Sequence, residues 1–115
     1  QVVAEIETQG GKALALQADV ADEAQVMAMF GALDAGLGTL SALVNNAGIS
    51  ARAPFDDPQT PQIWERVMNV NLQGTFNVTH AFVEQLKASR GAIVNLCSIV
   101  AYGCGISTAG YVVSK

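Results

Sequence analysis

A parallel α/β fold is what the sequence predicts, and three observations predict it. Short apolar runs alternate with stretches of helical periodicity. The apolar runs are continuous rather than mixed one-for-one with polar residues, the pattern of strands covered on both faces. Each run also ends in polar residues: Asp19 first, then Asn45 and Asn46, then Ser98. The resulting order is α-β-α-β-α-β-loop-α, a parallel sheet with helices on both faces. Its 115 residues allow one small domain.

The elements follow in order. "VVAEIE" has helical spacing and stops at Gly10 and Gly11. "KALALQADV" is a strand, apolar from Ala13 to Leu16 and polar at Asp19. A second helix follows, with Asp22 as its cap and Gln25 at the capping-box position. Val26, Met29, Phe30 and Leu33 then share a face, and Gly36 and Gly38 end the helix. "TLSALVNNAG" is the next strand. "TPQIWERVMNVNLQGTFNVTHAFVEQLK" is one long helix, with Thr60 as N-cap and Pro61 at its first position. Along it Trp64, Met68, Leu72, Phe76, Thr79, Val83 and Leu86 recur at steps of three and four. "GAIVNLCS" is a strand, and "TAGYVVSK" opens another helix.

Composition excludes several function classes. Only 14% of residues are charged, the net charge is -4, and the six Lys and Arg form no basic stripe. That argues against a nucleic-acid surface. No apolar stretch approaches the ~20 residues of a membrane span, and the opening lacks the basic-then-apolar pattern of a signal peptide. Cys97 and Cys104 have neither C-x-x-C spacing nor a partner set for a metal, so reduced thiols in the cytoplasm are expected. His80 is the single histidine; it lies in a helical pattern, packing or facing solvent, and no G-x-S-x-G surrounds any serine.

In parallel sheets, ligands bind at the carboxyl ends of the strands. A polar strand tip has an ordinary explanation, because a turn follows it, but three in a row favour a binding crest. Two local misfits sharpen the picture. Asn71 and Gly74 stand mid-helix, where Gly costs about 1 kcal/mol against Ala and Asn roughly half that. They mark either a working site or a place where a neighbour comes close.

The segments together resemble the classical branch of the short-chain dehydrogenase/reductase family over essentially the whole chain. The resemblance rests on "ADV" at 18–20, "NNAG" at 45–48, "NVNLQG" with Asn71, "NLCSIVA" with Ser98 and "YVVSK" at 111–115. Tyr-x-x-x-Lys alone is a weak signal; Tyr102, whose fourth successor is Ile106, fails it. "NNAG" directly after an apolar strand is far more specific, and Ser98 thirteen residues before Tyr111 adds an independent constraint. Family members often carry two serines at that strand tip. Here the first is Cys97, expected to pack as a small hydrophobe.

The resemblance implies a Rossmann-like doubly wound sheet, NAD or NADP as cofactor, and hydride transfer on a secondary alcohol or ketone. A 3-oxoacyl-thioester reductase and a sugar or polyol dehydrogenase both suit it. It implies catalytic roles for Asn71, Ser98, Tyr111 and Lys115. Tyr111 donates the proton, Ser98 holds the substrate oxygen, Lys115 holds the nicotinamide ribose, and Asn71 anchors a relay water. It assigns cofactor contacts to Asp19, Val20, Asn45, Ala47 and Gly48, besides Tyr111 and Lys115, and no metal. It also implies a homo-oligomer, dimeric or tetrameric, with the long helix and the Tyr-bearing helix at an interface. The family's opening strand and T-G-x-x-x-G-x-G turn have no counterpart here. An internal piece of a longer enzyme is therefore expected, poorly stable alone, with open strand edges.

The chemistry also stands on the residues. Positions i and i+4 of a helix share a face, so Tyr111 and Lys115 address one volume. A phenol is a poor base near its ordinary pKa of ~10, and a neighbouring ammonium favours the phenolate, which suits general acid–base work. Each residue alone has an everyday reading: a surface pair, turn asparagines, a turn-orienting Asp19, a loop serine. The competing functions are a non-catalytic dinucleotide-binding module and a related epimerase or dehydratase. "NNAG" followed by "NVNLQG" favours the classical branch over the latter.

Overall fold

A computed structural model describes residues 1–103 and 107–115; Cys104 therefore lies outside the described residues. Helix α1 spans Val2–Thr8 and α2 spans Glu23–Leu37. Strand β1 is Ala42–Asn45, α3 is Thr60–Met68, α4 is Gly74–Ser89, β2 is Ala92–Asn95 and α5 is Ala109–Ser114.

The two strands pair in parallel, Ala42 with Ala92 through Asn45 with Asn95. Side chains alternate across a strand, so Leu43 faces one side and Val44 the other. Leu43 packs with Val26 of α2 and with Val78, Phe82 and Leu86 of α4, joined by Met29, Phe30 and Leu33. The α2 face read from the sequence is thus a core face, with Phe30 edge-on to Phe82 at 5.2 Å between centroids. Val44 and Val94, on the opposite side, remain 57% and 50% exposed. Among the described residues, helices cover one side of the sheet.

Three local expectations need correction. The run Ala13–Leu16 is not a strand. A strand exists by pairing its backbone, and no described segment lies beside this run to pair with it. Thr60 is the first residue of α3 rather than its N-cap, which is Gln59; its hydroxyl instead donates to the Pro54 carbonyl at 2.6 Å. Gly36 lies within α2, and the helix ends at Gly38, whose φ of 80° suits a residue without a Cβ.

The long helix is continuous but not uniform. Residues Asn69–Gln73 form a π turn between α3 and α4, with the Gly74 N–H reaching back to the Asn69 carbonyl. The extra residue shifts the buried face. Core positions run Val67, Asn71, Gly74, Val78, Phe82, Leu86. The apolar stripe read at a uniform helical period is mostly a second, outward face: Leu72 is 53% and Phe76 60% exposed. On that face the exposed His80 ring stacks on Phe76, 5.6 Å between centroids. Gly74 is required by close approach. A Cβ there would lie 2.5 Å from Cγ2 of Val20.

The α2 cap forms as a variant of the expected box. The Asp22 carboxylate accepts from the Ala24 and Gln25 N–H groups at 2.9 and 3.2 Å. The Gln25 side chain donates to Asp22 at 2.8 Å and accepts from the Asp19 N–H at 2.9 Å. The Gln25 side chain first, then the Gln25 and Ala24 N–H groups, hold the Asp22 carboxyl below its ordinary 3.8, against a desolvation that raises it. A depressed folded-state pKa stabilises the fold above pH 3.8, and that contribution is lost as pH falls through the lower folded value. Asp22→Ala should therefore lower the melting temperature at about pH 7, with a deficit that shrinks at about pH 3. Thermal melts of both proteins at the two pH values check this; a deficit that persists in acid would refute the charged cap.

Candidate active site

The carboxyl ends of β1 and β2 and the end of α5 meet beside the π turn. Asn71 is the hub. It is 4% exposed, and every side-chain hydrogen-bonding atom is used. Its Oδ1 accepts from the Ile49 N–H at 2.7 Å, while Nδ2 donates to the Ile49 carbonyl at 2.9 Å and to the Ser114 hydroxyl at 2.9 Å. Asn71 thus clamps the loop after β1 and the end of α5 onto the helix. The misfit Asn at mid-helix has a structural use, and π turns recur at functional sites.

The Ser114 hydroxyl donates in turn to the Tyr111 carbonyl at 2.9 Å, so α5 is tied down at the turn that carries the Tyr–Lys pair. Lys115 Nζ lies 5.9 Å from the Tyr111 ring centroid and donates to the Leu96 carbonyl at 3.0 Å. The i, i+4 spacing therefore brings cation and ring together, within the range of a cation–π contact. A cavity of about 250 Å³ is lined by Tyr111, Lys115, Gly48, Ile49, Leu96 and Cys97, with Asn46 and Ser50. Among the described residues the Tyr111 hydroxyl has no hydrogen-bond partner. Gly48 completes the wall. A Cβ on it would sit 3.2 Å from Lys115 Nζ and 3.4 Å from Asn71 Oδ1.

Ser98 is not brought into that cavity. It lies three residues beyond β2 and caps a single 3-10 turn, Ile99–Tyr102, accepting from the Val100 N–H at 3.4 Å. Its neighbour Cys97, an exposed free thiol, lines the cavity instead. The reason is local: an N-cap hydroxyl turns toward the N–H groups of its own turn.

The remaining sequence-predicted residues lie on the other side of the β1 tip. Asn45 Nδ2 donates to Asn95 Oδ1 at 2.8 Å and to Thr79 Oγ1 at 3.0 Å, cross-linking the strand ends and α4. Asn45, Ala47 and Val20 line a cavity of about 200 Å³ with Asn46, Gly74 and Thr75. Asp19 accepts from the Ala21 N–H at 2.9 Å and borders a larger opening with Arg66 and Val70. Sequence reasoning missed Ser114, Ile49, Asn77, Thr79 and Asn95. Ile49 acts through its backbone, which no side-chain motif advertises. The rest are common polar residues whose partners lie 34 to 57 positions away.

Can these residues hold a dinucleotide? Gly48 leaves open the space its Cβ would fill, between an ammonium and an amide. The cavity beyond offers a phenol, an ammonium and apolar walls. Polar orienting groups set among apolar walls are the usual make-up of a cofactor pocket, and the residues fit.

Parallel strands ending in Asn45 and Asn95, with Tyr111 and Lys115 brought beside their tips by α5 around a glycine-walled cavity, define an α/β protein with its ligand site at the strand tips. The comparisons specify the class further. The chain belongs to the short-chain dehydrogenase family, whose model matches residues 1–115. It is 39% identical to a 3-oxoacyl-[acyl-carrier-protein] reductase of Staphylococcus aureus, over 99% of this chain and 46% of that protein. It is equally 39% identical to a cyclopentanol dehydrogenase of Comamonas testosteroni, over 100% of this chain and 46% of that protein. Among solved structures, a gluconate 5-dehydrogenase from Burkholderia cenocepacia in complex with NADP and tartrate superposes with a TM-score of 0.86 at 36% identity, over 99% of this chain and 45% of that one. A 7α-hydroxysteroid dehydrogenase complexed with NADH and 7-oxo glycochenodeoxycholic acid gives 0.89 at 29% identity, over 98% and 44%. The chain spans about half the length of the relatives it matches.

Proposed function

We propose that the chain is part of a single dinucleotide-binding domain in an NAD(P)-dependent oxidoreductase that interconverts a secondary alcohol and a ketone. The observation that carries this is the cavity at the strand tips, where the Tyr111 phenol and the Lys115 ammonium stand side by side behind the bare backbone of Gly48. The names of the relatives support the substrate class, since each of the four is a reductase or dehydrogenase. Two of the solved relatives hold NADP or NADH.

When bound, the nicotinamide supplies or accepts the hydride at its C4 carbon. In the reducing direction Tyr111 gives its phenolic proton to the substrate oxygen as the carbonyl carbon gains hydride, and the alcohol leaves neutral. In the oxidising direction the same phenolate takes the proton back. Lys115 would hold the nicotinamide ribose, and its ammonium stands 5.9 Å from the centre of the Tyr111 ring. For Ser98 to steady the substrate oxygen its hydroxyl would have to leave the cap, where its bond to the Val100 N–H is long at 3.4 Å. Asn71 fixes the loop that carries Gly48. Both of its amide hydrogens are engaged, so a relay water beside it would be held through an acceptor atom. Asp19 and Val20 would receive the adenine, and Asn45, Ala47 and Gly48 would line the adenosine ribose and the approach to the nicotinamide, Gly48 from the wall it shares with Lys115.

The reading includes a cytoplasmic location, with Cys97 reduced, and a homo-oligomer. The outward apolar face of Leu72, Phe76 and Val83 supports assembly, since an exposed stripe of this kind marks an interaction surface. The discriminating experiment offers the full-length protein NADH or NADPH with 3-oxoacyl thioesters, cyclic ketones and keto-sugars. Loss of reduced nicotinamide dependent on one of these ketones is expected. Dinucleotide binding with no turnover on any of them would replace this reading with the non-catalytic binding module.

A further inference from the structure

Asn77 is buried in α4 at 8% exposure, and no step of the hydride transfer uses it. Its Nδ2 donates to the Val20 carbonyl at 3.0 Å, across 57 positions of chain. Its Oδ1 accepts from Gln73 Nε2 at 2.8 Å, which fixes the orientation of the amide. One turn earlier, the bare backbone of Gly74 receives the Val20 side chain. The tip at Ala18–Ala21 is thus gripped from α4, and the bond from the Asp19 N–H to the Gln25 side chain holds it from α2.

The tip held this way borders openings on both sides. Val20 lines the cavity shared with Asn45 and Ala47, and Asp19 borders the opening shared with Arg66 and Val70. With the Val20 carbonyl turned onto α4, its N–H has no acceptor among the described residues. Asp19 uses one carboxylate oxygen for the Ala21 N–H. A buried amide that is satisfied at both ends and grips a single carbonyl is a rigid support.

We propose that Asn77, braced by Gln73, is the positioning residue for the adenosine half of the dinucleotide. It locks the Val20 peptide so that the Val20 N–H and the Asp19 carboxylate face the adenine edge. The proposal rests on the dinucleotide reading above and adds to it which residue sets affinity at the end remote from hydride transfer. Binding of the adenosine half then depends on Asn77, while the Tyr111–Lys115 cavity does not.

The test is made on the full-length protein with two fragment inhibitors, adenosine monophosphate and nicotinamide mononucleotide, alongside steady-state kinetics. Asn77→Leu orphans the Val20 carbonyl. It should raise the inhibition constant of adenosine monophosphate and the KM for the dinucleotide about tenfold, leaving kcat and the constant for nicotinamide mononucleotide unchanged. Gln73→Ala, at an exposed position, releases only the brace, and should give a two- to threefold change in the same direction, on the order of a half-lost hydrogen bond. Equal loss of both fragments would mean general unfolding rather than positioning, and would overturn the proposal, as would an unchanged adenosine monophosphate constant in both variants. A wild-type protein that binds no dinucleotide would overturn the functional reading itself.

Discussion

Tyr111→Phe should lower kcat by about 10²- to 10⁴-fold, the usual worth of a positioned general acid, with KM for substrate and dinucleotide nearly unchanged. The substitution removes one oxygen and keeps the ring. The ring's contact with the Lys115 ammonium at 5.9 Å is therefore retained, as is the helix anchored through Ser114 and the Tyr111 carbonyl. Among the described residues the hydroxyl has no hydrogen bond to lose, so the fold should be as stable as before. Steady-state kinetics and a denaturation curve on one preparation separate the two. A kcat within about threefold of wild type would remove Tyr111 from the chemistry, and with it the functional reading.

Asn71→Leu has the largest expected effect on stability. Leucine is close to asparagine in volume but offers no polar atom. The Ile49 N–H and carbonyl each lose their partner, and the Ser114 hydroxyl loses a donor. An unsatisfied group costs ~1–3 kcal/mol, and Ile49 is only half-buried and regains some water, so a total near 3 kcal/mol is expected. Activity should fall as well, because Gly48, adjacent to Ile49, forms the wall against Lys115. Chemical denaturation checks the first effect. A variant as stable as wild type would mean that the loop after β1 is held by something other than this clamp.

Much of the site's local geometry was legible in the sequence because it depends on local spacing. Tyr111 and Lys115 share a face for the same reason that any i and i+4 pair does. Asp22 declares a cap, and the positions of Val26, Met29, Phe30 and Leu33 declare a buried face. The polar tip at Asn45 was legible after its apolar run, but its partner across the strands, Asn95, was not. What the linear pattern hid has physical causes. A π turn breaks the helical period, so a uniform count took the outward stripe of Leu72 and Phe76 as one series with the buried Leu86. An apolar run becomes a strand only with a neighbour, and Ala13–Leu16 has none among the described residues.

The sequence by itself determined the main helices and the two strands that pair, the asparagines at the tip of β1, and that a phenol and an ammonium share one helix face. These follow from backbone periodicity and from the preferences of residues near one another in the chain. Tertiary structure alone decided that Asn71 clamps Ile49, that Asn77 grips Val20, and that Cys97 rather than Ser98 lines the cavity beside Tyr111. Those outcomes require buried polar groups to find partners many residues away, and only the packed chain specifies which donor meets which acceptor.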